Sequence, residues 1–340
     1  MTPVVVLIGE GVQKRAGELA RVLSPRWGVQ RYPGDGSVQE EMRTAVAAVG
    51  MPGALCWDAV MPSLRFLQLP GAGLDGLDPS HLPDGCEVCN VHEHEGAVAE
   101  YVFACLMRMS DDWLTVASNA LKEGQWLFFD RIGGACRPSR CGTVLGIVGF
   151  GHIGQRCARL ALMLNMEVVV CTRTMPFHGR SENPWGSVRF LASPGEVAAA
   201  CDVFLIACPL TRDTRGLIGR EILGRLRSHA VLINPARAEI VDEQALFEAL
   251  SSRRIRGAIL DVWSREPRTV SERFTGSPLP FHHLDNVIAT PHLAAHTEDM
   301  VRRRWRFIAE NLNRWLAGEP RLNRVEPTTH RLLQSIGESR

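Results

Sequence analysis

Between Thr143 and Thr290 the chain repeats one pattern: a short apolar run, a turn, then a segment with helical spacing. The runs are TVLGIVG (143–149), EVVVC (167–171), DVFLIA (202–207), AVLIN (230–234), GAILDV (257–262) and NVIAT (286–290). They are continuous and rich in branched residues, as strands buried on both faces of a parallel sheet must be. Helices are expected over 153–166, 194–200, 220–226 and 242–251, the second capped by Ser193. Parallel strands joined through helices require crossovers of one hand, so this region reads as a six-stranded doubly wound sheet.

The first ninety residues alternate less cleanly. Strands are expected at 4–8, 54–57, 64–69 and 86–91, with a helix over 37–50 between Ser37 and Gly50. A long apolar helix follows over 97–109. The stretch 123–142, with Trp126, Phe128 and Phe129 among polar residues and glycines, reads as an arm or long loop and as a candidate contact between subunits. A last helix is expected over 298–316, starting near Thr297, and the tail after Val325 reads as weakly ordered.

Bulk properties exclude several classes of partner. Lys and Arg number 38 and Asp and Glu 37, a net charge of +1, which gives no electrostatic case for nucleic acid or an anionic membrane. The run Arg302–Arg304 reads as a solvated helix face. No apolar run approaches the roughly 18 residues of a membrane span. The start Val4–Ile8 reads as a first strand and not as a signal peptide. Ten cysteines show no disulfide framework, and several sit in apolar runs, so reduced thiols and a cytoplasmic location are expected. His92-Glu93-His94-Glu95 and Cys86-x-x-Cys89 lack a second ligand pair at zinc spacing, so no metal site is expected.

VGFGHIG (148–154) carries glycines at 149, 151 and 154 directly after a strand and directly before a helix. That context makes it a dinucleotide fingerprint: Gly149 for the turn, Gly151 for approach of a pyrophosphate, Gly154 for close packing. The amides of His152 and Ile153 at the helix start would face the phosphates. Thr172 lies 21 positions after Gly151, where an acidic residue would bind a ribose 2′-hydroxyl, and Arg173 and Thr174 follow it. A hydroxyl and a guanidinium there favour a 2′-phosphate, hence NADP as the preferred cofactor with NAD possible.

Ligands of open α/β sheets bind beyond the carboxyl ends of the strands. After 202–207 comes a turn from Cys208 and Pro209 to Thr214 that can wall an adenine or ribose. After 230–234 come Pro235, Ala236 and Arg237. Asp261 ends the next strand and Glu266 follows, and His292 follows the last. Arginine, carboxylate and histidine suit reduction of a 2-oxo acid. Arg237 would bind and polarise the substrate, His292 would donate the proton, and Glu266 would orient the ring and raise its pKa.

The segments GAGLDGLD (71–78), VAEYVFACLM (98–107), LGIVGFGHIGQ (145–155), PLTRDTRGLI (209–218), NPARAEIVDEQAL (234–246), GAILDVWSREP (257–267) and ATPHLAAHT (289–297) together resemble the D-isomer-specific 2-hydroxyacid dehydrogenase family. The resemblance covers about residues 55–325. CTRT and SREP are most similar to its glyoxylate/hydroxypyruvate reductases. The resemblance implies catalytic roles for Arg237, Glu266 and His292, a substrate carboxylate held by amides near Ala72 and Gly73, and contact of Asp261 with the nicotinamide carboxamide. It implies two doubly wound domains, a Rossmann-type cofactor domain (97–296) inserted into a flavodoxin-like substrate domain (1–96 with 297–340), an active site in the cleft, and a homodimer acting on a small 2-oxo or 2-hydroxy acid. Ala238 stands where the family usually has glycine, and the 92–95 loop is one residue tighter. A nucleotide-sensing corepressor-like binding protein of the same fold is the alternative.

Overall fold

A computed structural model describes residues 2–32, 40–51, 57–74, 77–110, 113–126, 139–174, 185–267, 272–274 and 276–325. The strands in chain order are β1 (Val4–Leu7), β2 (Gly28–Arg31), β3 (Ala47–Val49), β4 (Phe66–Gln68), β5 (Glu87–Cys89), β6 (Val144–Val148) and β7 (Glu167–Cys171). They continue with β8 (Arg189–Phe190), β9 (Val203–Ile206), β10 (Val231–Asn234), β11 (Gly257–Leu260), β12 (Val287–Ala289) and β13 (Arg324–Val325). The chain divides into two compact units, 1–94 with 296–340, and 95–295. The sequence placed these divisions two residues and one residue later.

In the first unit the sheet runs β2-β1-β3-β4-β5, all parallel, with β13 added antiparallel to β5 at the edge. The parallel order is the flavodoxin-like one. Two expectations here need correction. The helix expected over 37–50 is confined, among the described residues, to Glu40–Arg43, and Ala47–Val49 is strand β3. Its alanines suit a helix by propensity, but the run is buried throughout between β1 and β4, and sheet burial overrides propensity. Of the strand expected over 54–57, residues 54–56 lie outside the described ones, and its last residue, buried Trp57, belongs instead to the short helix Trp57–Val60. Strand β2, GVQR, was not anticipated, because an edge strand with alternate residues exposed carries no continuous apolar run.

A buried polar pair ties this unit together. Asn311, on the helix Glu298–Ala317, donates to Gln68 Oε1 on β4 at 2.8 Å and to the Leu322 carbonyl at 2.9 Å, and its own carbonyl accepts from the Leu322 amide. Gln68 donates in turn to the Leu69 and Cys89 carbonyls. Both side chains are fully enclosed, so each unmade bond there would leave a stranded polar group.

The second unit holds seven parallel strands in the order β8-β7-β6-β9-β10-β11-β12. Six were expected. The seventh, β8, has only two residues, too few to show a period. The order reverses beside β6, so the carboxyl ends of β6, β7 and β9 flank one switch point, where such sheets bind nucleotides. Helix Glu95–Ser110 packs on the helix His152–Met163 behind β6. The described cysteines are all free thiols, and no described helix is long and apolar enough to cross a membrane. Of the arm expected over 123–142, residues 127–138 lie outside the described ones, as does the tail after Val325.

Candidate active site

The glycines of the 149–154 turn divide into two kinds. Gly149 has φ +96°, and a Cβ on it would lie 2.6 Å from the Cys208 amide nitrogen. A Cβ on Gly154 would lie 2.3 Å from the Gly149 carbonyl oxygen. Both are required by the packing of β6 against β9 and against its own helix. Gly151 is different: nothing lies within 4 Å of where its Cβ would be. It caps the helix His152–Met163 without a side-chain bond, so the first-turn amides of His152, Ile153 and Gly154 have no acceptor within the helix. Open space above donor amides and the positive end of a helix dipole fits a pyrophosphate.

β7 ends beside this turn, and the Cys171 carbonyl accepts from the Gly149 amide at 2.8 Å. Thr172 follows half-buried, its hydroxyl donating to the Thr174 carbonyl at 3.2 Å. Arg173 is exposed and forms no hydrogen bond or ion pair among the described residues. On the other flank Thr214 closes the turn after β9: its hydroxyl donates to the Pro209 carbonyl and accepts from the Thr211 amide, both at 2.7 Å. Burial pushes the Cys208 thiol up to about 11, so it remains a neutral wall of the turn.

The ends of β10, β11 and β12, three adjacent strands, carry the other candidates. After β10 the Asn234 side chain accepts from the Ala236 amide and donates to the Arg237 carbonyl, shaping the turn through buried Pro235. Arg237 has an extended backbone and one guanidinium nitrogen 2.7 Å from the Ala236 carbonyl. Ala238 opens a short 3-10 turn without positive φ, so this turn does not demand the family's glycine.

His292 Nδ1 lies 2.7 Å from Glu266 Oε2, while Glu266 Oε1 accepts from the Trp263 amide at 3.1 Å. His292 Nε2 makes no hydrogen bond among the described residues. The Glu266 bond raises the histidine pKa above its ordinary value. Burial and the nearby Arg237 charge oppose that rise, and the charges of Glu266 and Asp261 reinforce it. Burial alone would raise the Glu266 pKa, but the His292 bond and charge, the Trp263 amide and Arg237 outweigh it, and the net shift is downward. Arg237 is therefore close enough to act electrostatically on both partners.

Asp261, almost wholly buried, supports this arrangement. Its carboxylate accepts from the Thr290 hydroxyl at 2.5 Å, the Leu293 amide at 2.9 Å and the Ala294 amide at 2.8 Å, and its carbonyl accepts from the His292 amide at 2.7 Å. His292 sits at φ +53°, a conformation that a residue with a side chain holds only when its neighbours enforce it. Sequence reasoning did not single out Thr290, Trp263 or Tyr101, although all three anchor this loop. Ala72 and Gly73 belong to the other unit. There the Ala72 carbonyl accepts from Asn90, and the two amides donate to no group among the described residues. The 92–94 loop of that unit is tied by Arg303, which donates to the Glu93 side chain and carbonyl. Among the described residues no group of His, Cys, Asp and Glu could hold a metal ion.

The two kinds of glycine make a testable distinction. Gly151→Ala should fold with a thermal midpoint within about 2 °C of wild type yet bind nicotinamide dinucleotides at least about tenfold more weakly, because its methyl fills the phosphate opening. Gly154→Ala should lower the melting temperature by several degrees, on the order of 1–3 kcal/mol of overpacking. Calorimetry with cofactor titration reads both. Tight binding by Gly151→Ala would contradict the assignment.

Comparison with known proteins gives the family. Residues 105–294 match the family model described as D-isomer specific 2-hydroxyacid dehydrogenase, NAD binding domain. A glyoxylate reductase of Pyrococcus furiosus is 32% identical over 267 residues, 76% of this chain and 74% of that protein. A D-3-phosphoglycerate dehydrogenase of Methanocaldococcus jannaschii is 30% identical over 258 residues, 75% of this chain, which spans 46% of that longer relative. The solved D-isomer specific 2-hydroxyacid dehydrogenase of Xanthobacter autotrophicus, in complex with NADPH and MES, superposes with a TM-score of 0.75 at 29% identity, covering 97% of this chain and 99% of that one. The chain belongs to the D-isomer-specific 2-hydroxyacid dehydrogenase family, a family of nicotinamide-dependent oxidoreductases.

Proposed function

We propose that this protein reduces a small 2-oxo acid of the glyoxylate or hydroxypyruvate type to the D-2-hydroxy acid, with NADPH preferred over NADH. The observation that carries the reading is the hydrogen-bonded His292–Glu266 pair with Arg237 close by, on neighbouring strand ends of a sheet whose switch point fits a dinucleotide.

The nicotinamide supplies the hydride when bound. The rest of the chemistry falls to the chain. Arg237 offers forked donors to a carboxylate and to the carbonyl oxygen beside it, favouring the charge that develops on that oxygen. His292, with Nδ1 engaged by Glu266, has Nε2 free to give a proton to the same oxygen, and to take it back in the oxidative direction. Reduction requires the imidazolium form, and Glu266 extends that form above the ordinary histidine range near 6.5. In the first unit, the free amides of Ala72 and Gly73 are donors of the kind a substrate carboxylate needs. Asp261 retains capacity to accept a carboxamide N–H, although its main work is on the 290–294 loop.

The cofactor preference rests on Arg173. It is exposed and unpaired at the end of β7, where no carboxylate repels a 2′-phosphate. The Thr172 hydroxyl is spent on the Thr174 carbonyl, which leaves the guanidinium as the main anion partner. The Xanthobacter relative was solved with NADPH. We also place a second copy of the chain on the helix Trp113–Lys122 and its continuation, where Leu114, Val116, Leu121 and Trp126 are exposed.

A panel of 2-oxo acids assayed with NADPH and NADH tests the function. Turnover should be fastest with glyoxylate or hydroxypyruvate and NADPH; cofactor binding without turnover of any 2-oxo acid would instead indicate a nucleotide sensor. Arg237→Ala should lower kcat/KM by on the order of 10²-fold or more in a folded protein, and near wild-type kinetics would remove it from the site. Arg173→Ala should raise the KM for NADPH about tenfold and leave that for NADH nearly unchanged. Equal weakening of both cofactors would show the arginine to be a general feature of the loop.

A further inference from the structure

We propose that Tyr101, through a directional chain of hydroxyls to Thr290 and Asp261, is a positioning residue that holds His292 in its working orientation. The proposal rests on the reading of His292 as proton donor. Tyr101 lies on the helix Glu95–Ser110, and its hydroxyl is 2.6 Å from Thr290 Oγ1. Thr290 has one hydroxyl proton, which it gives to Asp261 Oδ1 at 2.5 Å. The tyrosine must therefore be the donor in the first link. The order is Tyr101 to Thr290 to Asp261, ending on the carboxylate that also receives the Leu293 and Ala294 amides.

Burial raises the Tyr101 pKa above that of a free phenol, so the hydroxyl is protonated and able to donate at neutral pH. Thr290 is also gripped from a second side: the Trp263 indole N–H donates to its carbonyl at 2.9 Å, and the Trp263 amide donates to Glu266. Two aromatic residues thus fix the single threonine that precedes the His292 turn. One reaches it across 189 residues of sequence from a helix behind the sheet. The left-handed backbone at His292 needs that restraint, because a residue with a side chain adopts it only at a cost, even though histidine tolerates it better than most. Loss of the first link leaves Thr290 Oγ1 short of a donor and frees its hydroxyl to turn away from Asp261.

Tyr101→Phe, Thr290→Val and Thr290→Ser separate this role from simple packing, since the first two preserve volume and remove a link, and the third preserves the hydroxyl. In Tyr101→Phe and Thr290→Val the amides of Leu293 and Ala294 should exchange about tenfold faster with deuterium. kcat should fall about tenfold with the cofactor KM within about twofold of wild type. Thr290→Ser should restore both. Faster exchange with unchanged kcat would support the chain of hydroxyls while removing His292 from catalysis, so the two readings fail separately. Unchanged exchange in both volume-preserving variants, whatever the kinetics, would overturn the proposal.

Discussion

The buried carboxylate of Asp261 is the constraint on which the site depends. A charged group almost without solvent access must be met by donors on every side, or its burial costs several kcal/mol. The chain meets it by folding 290–294 around it: one hydroxyl and two amides reach its oxygens, and the His292 amide reaches its carbonyl. The satisfied charge offsets the unfavourable backbone of His292 and aims that side chain at Glu266, which follows the same strand end. The same carboxylate also adds the smallest contribution to the field that raises the histidine pKa, a rise that Glu266 dominates.

Around that anchor the second unit divides its labour along the sheet. At the switch point beside β6 the requirement is room and exposed donors, met by glycines and an uncapped helix start. Three and four strands away, at β11 and β12, the requirement is rigidity and charge, met by a closed hydrogen-bond network drawing on Tyr101, Trp263, Asn234 and Asp261. The first region offers a ligand open space beside a helix start; the second leaves His292 Nε2 free and satisfies nearly everything around it. That contrast is what binding a large anion and moving one proton each require.

Much of this was legible in the sequence where the signal was local. Buried parallel strands are continuous apolar runs, so six of the seven strands of the second unit stand out, and the glycine turn is legible because strand, turn and helix are contiguous. Ala47–Val49 misled because alanine favours a helix until a sheet buries it, and Arg189–Phe190 is too short to show any period. Arg237, Glu266 and His292 could be picked out because each lies within a few residues of the carboxyl end of a strand. Tyr101 and Trp263 could not: each looks like an ordinary apolar position in its own segment, and its role exists only in the partner that folding brings to it. Asp261 was read as a contact for the cofactor, and the larger part of its work, holding a loop some thirty residues downstream, leaves no trace in local pattern.

The central claim is that Glu266 sets the protonation of His292. The most direct measurement is the titration of the His292 ring by NMR in wild type and in Glu266→Gln, paired with the pH profile of the reductive reaction. The carboxylate favours the imidazolium, so the wild-type ring should titrate above the ordinary value of about 6.5. Removing that charge should bring its pKa down and carry the alkaline limb of the reductive profile to lower pH with it. A wild-type ring that titrates at the ordinary value, or a pKa and limb that stay in place in an active Glu266→Gln protein, would contradict the account.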